Sequence, residues 1–312
     1  MVAWAVALGL VGAVGAVAFR LAIRLVQAVF FEGVEGLDAV REAGVFAEPI
    51  DPVALVDSLA PWQILAIPTI GGLLVGLLVT RLGREARGPG IPEVMEAVAL
   101  QGGTMRRRVL GLKMLTAALT IGSGGSAGRE GPIAQIGAAI GSGLGRMLKA
   151  PPRQTRSMVA CGAAAGIAAT FNAPVAGALF AVEIILGDFG VSQFSPIVIS
   201  SVMATVVSRS FLGDVPAFIV PEYELVSAWE LPIYLVLGLV AALVALLFLK
   251  ALYGLEDLWE RLPVRPWAHA ALGGLVVGGI GLAFPQVFGV GYEAIDAALT
   301  GETALWMLAV LI

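Results

Sequence analysis

Two short stretches of the 312-residue chain carry residue types suited to holding an anion. Gly88-Pro89-Gly90-Ile91-Pro92 opens a helix that runs from Glu93, and Gly128-Arg129-Glu130-Gly131-Pro132 opens another in the same way. Each has a proline at the first turn, where its fixed φ suits a helix start and its missing N–H is not needed. Glu93 and Glu96 follow early in the first helix, where the helix dipole favours acids. A helix that starts at a glycine-rich turn presents free N–H groups and the positive end of its dipole, which together bind anions. Gly88, Pro89, Gly90, Ile91, Pro92, Gly128, Arg129 and Gly131 are therefore candidate anion-binding positions. Glu130 stands apart from them. A carboxylate at the mouth of an anion site competes with the anion, and a proton would end that competition, so Glu130 is a candidate proton-driven gate.

The elements that must position these turns are set by composition. Hydrophobic residues make up 58% of the chain and charged ones only 13%, with 40 glycines, 17 prolines and a mean hydropathy of +0.92. A soluble domain is about one quarter charged, so this is an all-α polytopic membrane protein. Residues 2–19, 58–80, 157–182, 189–208, 231–249 and 270–292 carry no charge. Each is near the roughly 20 residues that cross ~30 Å of hydrocarbon. Soluble enzymes and nucleic-acid binders are excluded, and the pI of about 5.2 agrees, since a nucleic-acid partner requires a basic face. The lone Cys161 and lone His269 exclude an intramolecular disulfide and Cys/His metal centres; neither a metal nor a cofactor is expected. No basic residue precedes the first apolar run, so it is read as a retained membrane helix rather than a cleaved signal.

Charge placement orients the chain. Glu32, Glu35, Asp38, Glu42, Glu48, Asp51 and Asp57 face only Arg41 between the first two helices. Arg81, Arg84 and Arg87 follow the second helix, and Arg106, Arg107 and Arg108 come soon after. By the positive-inside rule the acidic segment is external and the N-terminus cytoplasmic.

From residue 109 the pattern departs from plain spanning helices. Residues 114–128 and 131–145 are uncharged but only 15 long each, the mark of broken or re-entrant helices. Non-helical backbone at that depth is tolerated only inside protein or along a watery cavity. Gly137, Gly141 and Gly145 repeat at four-residue spacing and read as a helix-packing face, whereas the cluster from Gly122 to Gly128 lacks helical spacing and abuts a charge. A charge at the bilayer centre costs at least ~3 kcal/mol. One helix terminus returns only about 0.3–2 kcal/mol, so several must converge. A fixed Arg or Lys at the site would hold an anion too firmly for conduction, which favours dipoles and N–H groups as ligands.

Three superficial motifs fail. Gly289-Val-Gly-Tyr292 lacks the Thr of a potassium filter and is followed by Glu293, so it is read as a helix end. Ile121 precedes Gly122-Ser123-Gly124 where an intramembrane serine protease needs a Gly, and His269, after Pro266 and Trp267, is read as interfacial. Arg129 stands where a P-loop needs Lys, with no Ser or Thr after it.

The motifs resemble those of the CLC family of chloride channels and proton-coupled anion transporters. Residues 88–93 look like the family's Gly-Ser-Gly-Ile-Pro-Glu motif, residues 128–132 look like its Gly-[Lys/Arg]-Glu-Gly-Pro motif, and residues 162–183 resemble its helix pair carrying Phe171-Asn172-Ala173-Pro174. The resemblance implies tilted and re-entrant helices in inverted repeats, a first half over about 1–213 and an incomplete second half over about 214–312, without a cytoplasmic regulatory domain. It also implies a homodimer in a lipid bilayer, here a bacterial inner membrane, with Glu130 as gate, protons acting at Glu130, and chloride or a similar monovalent anion such as nitrate as cargo. Three departures qualify this: Pro89 replaces the motif Ser; the chain reaches Ile312 without the family's later helices; and apolar Ile184 matches the internal proton-relay glutamate. Neighbouring Glu183 is read as structural and Asp188 as solvated. The expectation is anion transport with weak or no proton coupling; the alternatives are a proton-coupled exchanger with an unrecognised proton path, or a non-transporting membrane scaffold.

Overall fold

The computed structural model describes residues 1–43, 56, 59–83, 87–188, 190–214, 216, 218, 220, 221, 224, 227–301, 303 and 307. Glu48, Asp51, Asp57 and Arg84, used above to orient the chain, lie outside the described residues. Among those described, every regular element is helical. Helix α1 (Val2–Gln27) runs on through a π turn (Ala28–Glu32) to α2 (Gly33–Ala43). Then come α3 (Pro61–Leu82), α4 (Ile91–Leu100), α5 (Arg108–Gly122), α6 (Glu130–Met147) and α7 (Pro152–Phe171). The chain continues with α8 (Pro174–Phe180), which runs on as a π turn (Ala181–Leu186), α9 (Val191–Leu212), α10 (Glu230–Glu260), α11 (Pro266–Gly281) and α12 (Tyr292–Leu299).

Val2–Glu32, Pro61–Leu82, Gln193–Leu212 and Glu230–Glu260 are long and apolar enough to cross a bilayer. Two uncharged stretches expected to be spans are broken instead. Residues 157–182 divide at Asn172, which adopts a left-handed conformation (φ 56°) that Asn tolerates better than most residues, and Pro174 then restarts the chain as α8. Residues 270–292 divide after Gly281, pass through a 3₁₀ turn (Pro285–Val287), and turn through Gly289 and Gly291 (φ 73° and 79°) into α12. Hydropathy is blind to both breaks because the breaking residues are uncharged.

The core is built from α1, α6, α7 and α9, and it is packed backbone to backbone. Cβ atoms on Gly137 and Gly141 would run into the carbonyl oxygens of Gly162 and Met158, and one on Gly145 would meet Thr155. The expected packing face is thus the α6–α7 contact, and every residue from Met158 to Ala169 is buried. Gly12 of α1 approaches Ala165, while Ser200 of α9 donates from its hydroxyl to the Cys161 carbonyl at 3.0 Å. A second pair, α3 and α11, is joined the same way, with Gly72 and Gly76 against the Ala270 and Trp267 carbonyls and Gly274 against that of Pro68. Helix α10 buries none of its residues. Its exposed Leu, Val and Phe side chains suit hydrocarbon as solvent.

Candidate functional site

The site forms where α5 stops short. Helix α5 ends at Gly122, and residues 123–129 run without helical structure until α6 begins at Glu130. Local bonds hold this backbone: the Ser123 hydroxyl donates to the Leu119 carbonyl at 2.7 Å, and the Gly125 N–H to that of Thr120 at 2.8 Å. A long-range bond adds to them, from the Ala127 N–H to the Gly289 carbonyl at 3.1 Å. The glycine cluster therefore forms the non-helical backbone expected from its spacing, with N–H groups paired to protein.

The two candidate anion-binding turns meet. A Cβ on Gly131 would run into the Pro89 carbonyl oxygen, and one on Gly90 (φ 107°) would lie 2.8 Å from the Gly131 carbonyl oxygen. Only glycine permits this approach, which brings the N-terminus of α4 beside that of α6. The turn at Gly88 is braced by Lys113 of α5, whose Nζ donates to the Gly88 carbonyl at 2.6 Å and whose side chain is buried. The need to release an anion disfavours a fixed cation here. The structure places one, with part of its hydrogen-bonding capacity directed at backbone.

Two cavities lie on either side of this junction. One, of about 360 Å³, is lined by the C-terminal ends of α1, α7 and α9 together with Arg129 and residues 289, 290, 292 and 293. The other, of about 930 Å³, is lined by the C-terminal end of α3, the last residue of α10, the start of α11 and the junction itself. In the orientation expected from the charge pattern, the first is the outer cavity and the second the inner. Gly88, Pro89, Ile91, Gly128, Glu130 and Gly131 line the inner cavity and Arg129 the outer one, while Ile121 borders both. Gly90 is buried between the turns, and Pro92 lies exposed outside both cavities. Ile184 is on the π turn after α8, 39% exposed, and neither it nor Glu183 lines either cavity.

Glu130 marks the partition. Its Oε1 accepts a 2.6 Å hydrogen bond from the hydroxyl of Tyr292, which lines the outer cavity, while Glu130 lines the inner. The Tyr292 ring is fixed edge-on by Phe218 (centroids 5.0 Å apart) and contacts Phe171 at 6.3 Å. The Arg129 guanidinium lies 4.6 Å from the Tyr292 centroid and 5.7 Å from that of Phe171, so α6, α7 and α12 are tied together at the gate candidate. The left-handed Asn172 beside Phe171 is held in turn, accepting from Arg209 Nε at 2.7 Å and donating to Asp214 at 2.8 Å.

One reading of the sequence changes. Gly289-Val-Gly-Tyr292, read as a helix end, leads instead into the start of α12, and its Tyr bonds to Glu130; the paired glycines preceding an amphipathic aromatic were the available signal. His269, read as interfacial, lines the inner cavity, and its Nε2 is buried without a hydrogen-bond partner.

Comparisons with known proteins follow the same line. A family model described as voltage gated chloride channel matches residues 71–312. The chain is 34% identical over 316 residues to a ClcB-like chloride channel protein of Ralstonia nicotianae, covering 100% of this chain and 70% of that one. Against chloride channel protein CLC-e of Arabidopsis thaliana it is 32% identical, covering 96% of this chain and 42% of the relative. The chain thus spans less than half of that plant protein. Among solved structures, a slow cyanobacterial Cl⁻/H⁺ antiporter superposes with a TM-score of 0.80 at 26% identity, over 99% of this chain and 70% of the other.

Proposed function

The chain belongs to the voltage gated chloride channel family, the CLC proteins, and from that premise we propose that it moves chloride or a similar monovalent anion such as nitrate across a bilayer, with Glu130 as the gate. The observation that carries this reading is the position of the Glu130 carboxylate, facing the inner cavity while bonded to a side chain of the outer one. Ionised, it places its charge at the N-terminus of α6, where the dipole and free N–H groups favour a negative group and where a passing anion needs the same stabilisation. Protonated, it no longer competes, and the anion crosses from the outer cavity to the turn at residues 88–91 and Lys113. The converging termini of α4 and α6 supply the more-than-one dipole that the cost of a membrane-buried charge requires. The functional unit is a homodimer in a bacterial inner membrane, and the division into halves near residue 213 coincides with the end of α9 at Leu212.

Proton coupling is weak or absent in this reading, because Ile184 is apolar and lies outside both cavities. A second reading, proton-coupled exchange, is favoured by the likeness to an antiporter and by His269 in the inner cavity. The deciding experiment is anion flux into proteoliposomes across acidic to neutral pH for the wild type and Glu130→Gln. The mutant is expected to carry anion at every pH with the dependence on pH gone. A mutant profile that still follows the wild type removes Glu130 as the gate, and a wild type without flux makes the protein a scaffold.

A further inference from the structure

Away from both cavities, the ends of several helices gather at one face. Helix α4 ends there at Leu100 and α6 at Met147, while α5 begins at Arg108 and α7 at Pro152. The backbone between them is tied together. The Met105 N–H donates to the Ser142 hydroxyl at 2.8 Å, Arg146 donates to the Met105 carbonyl, and Arg156 donates to the Ala99 carbonyl at 3.4 Å. A Cβ on Gly103 would lie 3.0 Å from the Arg156 backbone nitrogen, so the loop after α4 rests on the start of α7. Helix α7 has 20 residues, about 30 Å of rise, and its C-terminal residues line the outer cavity. The face therefore sits about one hydrocarbon thickness from that cavity, on the side where the charge pattern places the cytoplasm.

Arg106, Arg107, Arg108, Lys149, Arg153 and Arg156 are all exposed here. Residues 97–156 contain a single acid, Glu130, which lies at the gate candidate; Glu96 on α4 and Glu183 on the π turn packed against α4 offset part of the charge. Neither α5 nor α7 has an acid in its first turn, and each starts among arginines, at the dipole end that repels cations. The arrangement calls for negative charge from outside the chain. Apolar side chains stand exposed on the same face, Leu100 at 79%, Met147 at 81% and Leu148 at 56% of full exposure. Water suits the cations but not these residues, and hydrocarbon suits the reverse. The boundary between headgroups and acyl chains suits both.

We propose that this face is a docking surface for anionic phospholipid, with headgroup phosphates held by Arg107, Lys149 and Arg153 while Met147 and Leu148 enter the upper acyl region. The occupant is lipid of the surrounding leaflet, because a soluble phosphate would leave the apolar residues in water. The proposal uses only the membrane-spanning fold and stands apart from the transport reading. The other ends of α4 and α6 meet at Gly90 and Gly131, so lipid gathered here seats the two helices that carry the turns.

The test reads lipid at the face itself. Met147→Cys is labelled with a fluorophore, the native Cys161 being buried, and the protein is reconstituted in phosphatidylcholine vesicles. A small, equal fraction of phosphatidylglycerol or of phosphatidylcholine carries a nitroxide quencher high on one acyl chain. Quenching by the phosphatidylglycerol is expected to exceed that by the phosphatidylcholine roughly fivefold at low ionic strength, the factor that one cation near an anionic surface provides. The ratio falls toward one in about 1 M salt, where the Debye length is ~3 Å. Adding Arg107→Gln, Lys149→Gln and Arg153→Gln together brings it to one, and Arg41→Gln, exposed on α2, leaves it unchanged. Equal quenching by the two lipids without these changes overturns the proposal, as does a preference that survives the triple variant. Quenching by neither lipid shows that protein or water covers the face, which overturns it too. A preference abolished by millimolar inorganic phosphate at constant ionic strength makes this a free-phosphate site and overturns the lipid assignment. Should the triple variant fail to fold, the salt titration decides, and a ratio indifferent to salt overturns the proposal.

Discussion

The Tyr292 hydroxyl donates to a carboxylate oxygen of Glu130 and so helps to hold the gate candidate in place. Tyr292→Phe removes a hydrogen bond to a charged group, about 1.5–3 kcal/mol, while leaving the ring contacts with Phe171, Phe218 and Arg129 in place. With the carboxylate no longer held by that hydroxyl, the flux–pH curve of the mutant is expected to differ from that of the wild type. A curve that stays put in flux-competent protein would show that Tyr292 does not position the gate. Pro89 gives a second residue-level expectation. It lines the inner cavity but has neither a hydroxyl nor an N–H to offer an anion. Pro89→Ser supplies a donor worth most to the smaller, more strongly hydrated anion, so the chloride-to-nitrate flux ratio rises, and an unmoved ratio with intact flux makes Pro89 only a turn former. Glu130 and the two turns were legible in sequence because each motif is local. Tyr292, Lys113 and His269 were not, because their partners lie far along the chain and no periodicity encodes that.

At the scale of elements, glycine spacing proved the more readable signal. The i, i+4 repeat of Gly137, Gly141 and Gly145 belongs to a single helix face, and it forms the contact with α7. Gly137→Ala would drive a methyl into the Gly162 carbonyl of the facing backbone, where no side chain can yield. Separating the two helices costs about 1–3 kcal/mol, to be read as a lower melting temperature in detergent. Gly111, which faces open space, serves as the neutral control on substitution to Ala. The breaks at Asn172 and after Gly281 were less legible, since hydropathy averages over an uncharged breaker. The π turn Ala181–Leu186 carries Ile184, which matches the family's relay glutamate, and both Glu183 and Ile184 are exposed on it. A chloride gradient imposed on proteoliposomes is therefore expected to drive little proton movement. If sustained coupled movement is found instead, His269→Gln separates the paths: its loss in the mutant assigns the relay to the inner cavity.

At the scale of the whole molecule, charge asymmetry predicted an orientation, and the two cavities give it a physical test. The outer cavity gathers the C-terminal ends of α1, α7 and α9, and the inner one the C-terminal end of α3 and the N-terminal end of α11. A chain crossing a bilayer produces this alternation of ends from either side, and the existence of two cavities beside one carboxylate could not be read from hydropathy. Cys161, the single native cysteine, is fully buried, so the protein is already a quiet background for thiol labelling. Leu212→Cys places a thiol on the outer cavity and Thr80→Cys one on the inner. A membrane-impermeant maleimide added to intact cells is expected to modify the first and spare the second until the membrane is opened. Labelling of Thr80→Cys alone would invert the molecule and move the cavity lined by Arg20 and Arg129 to the cytoplasmic face.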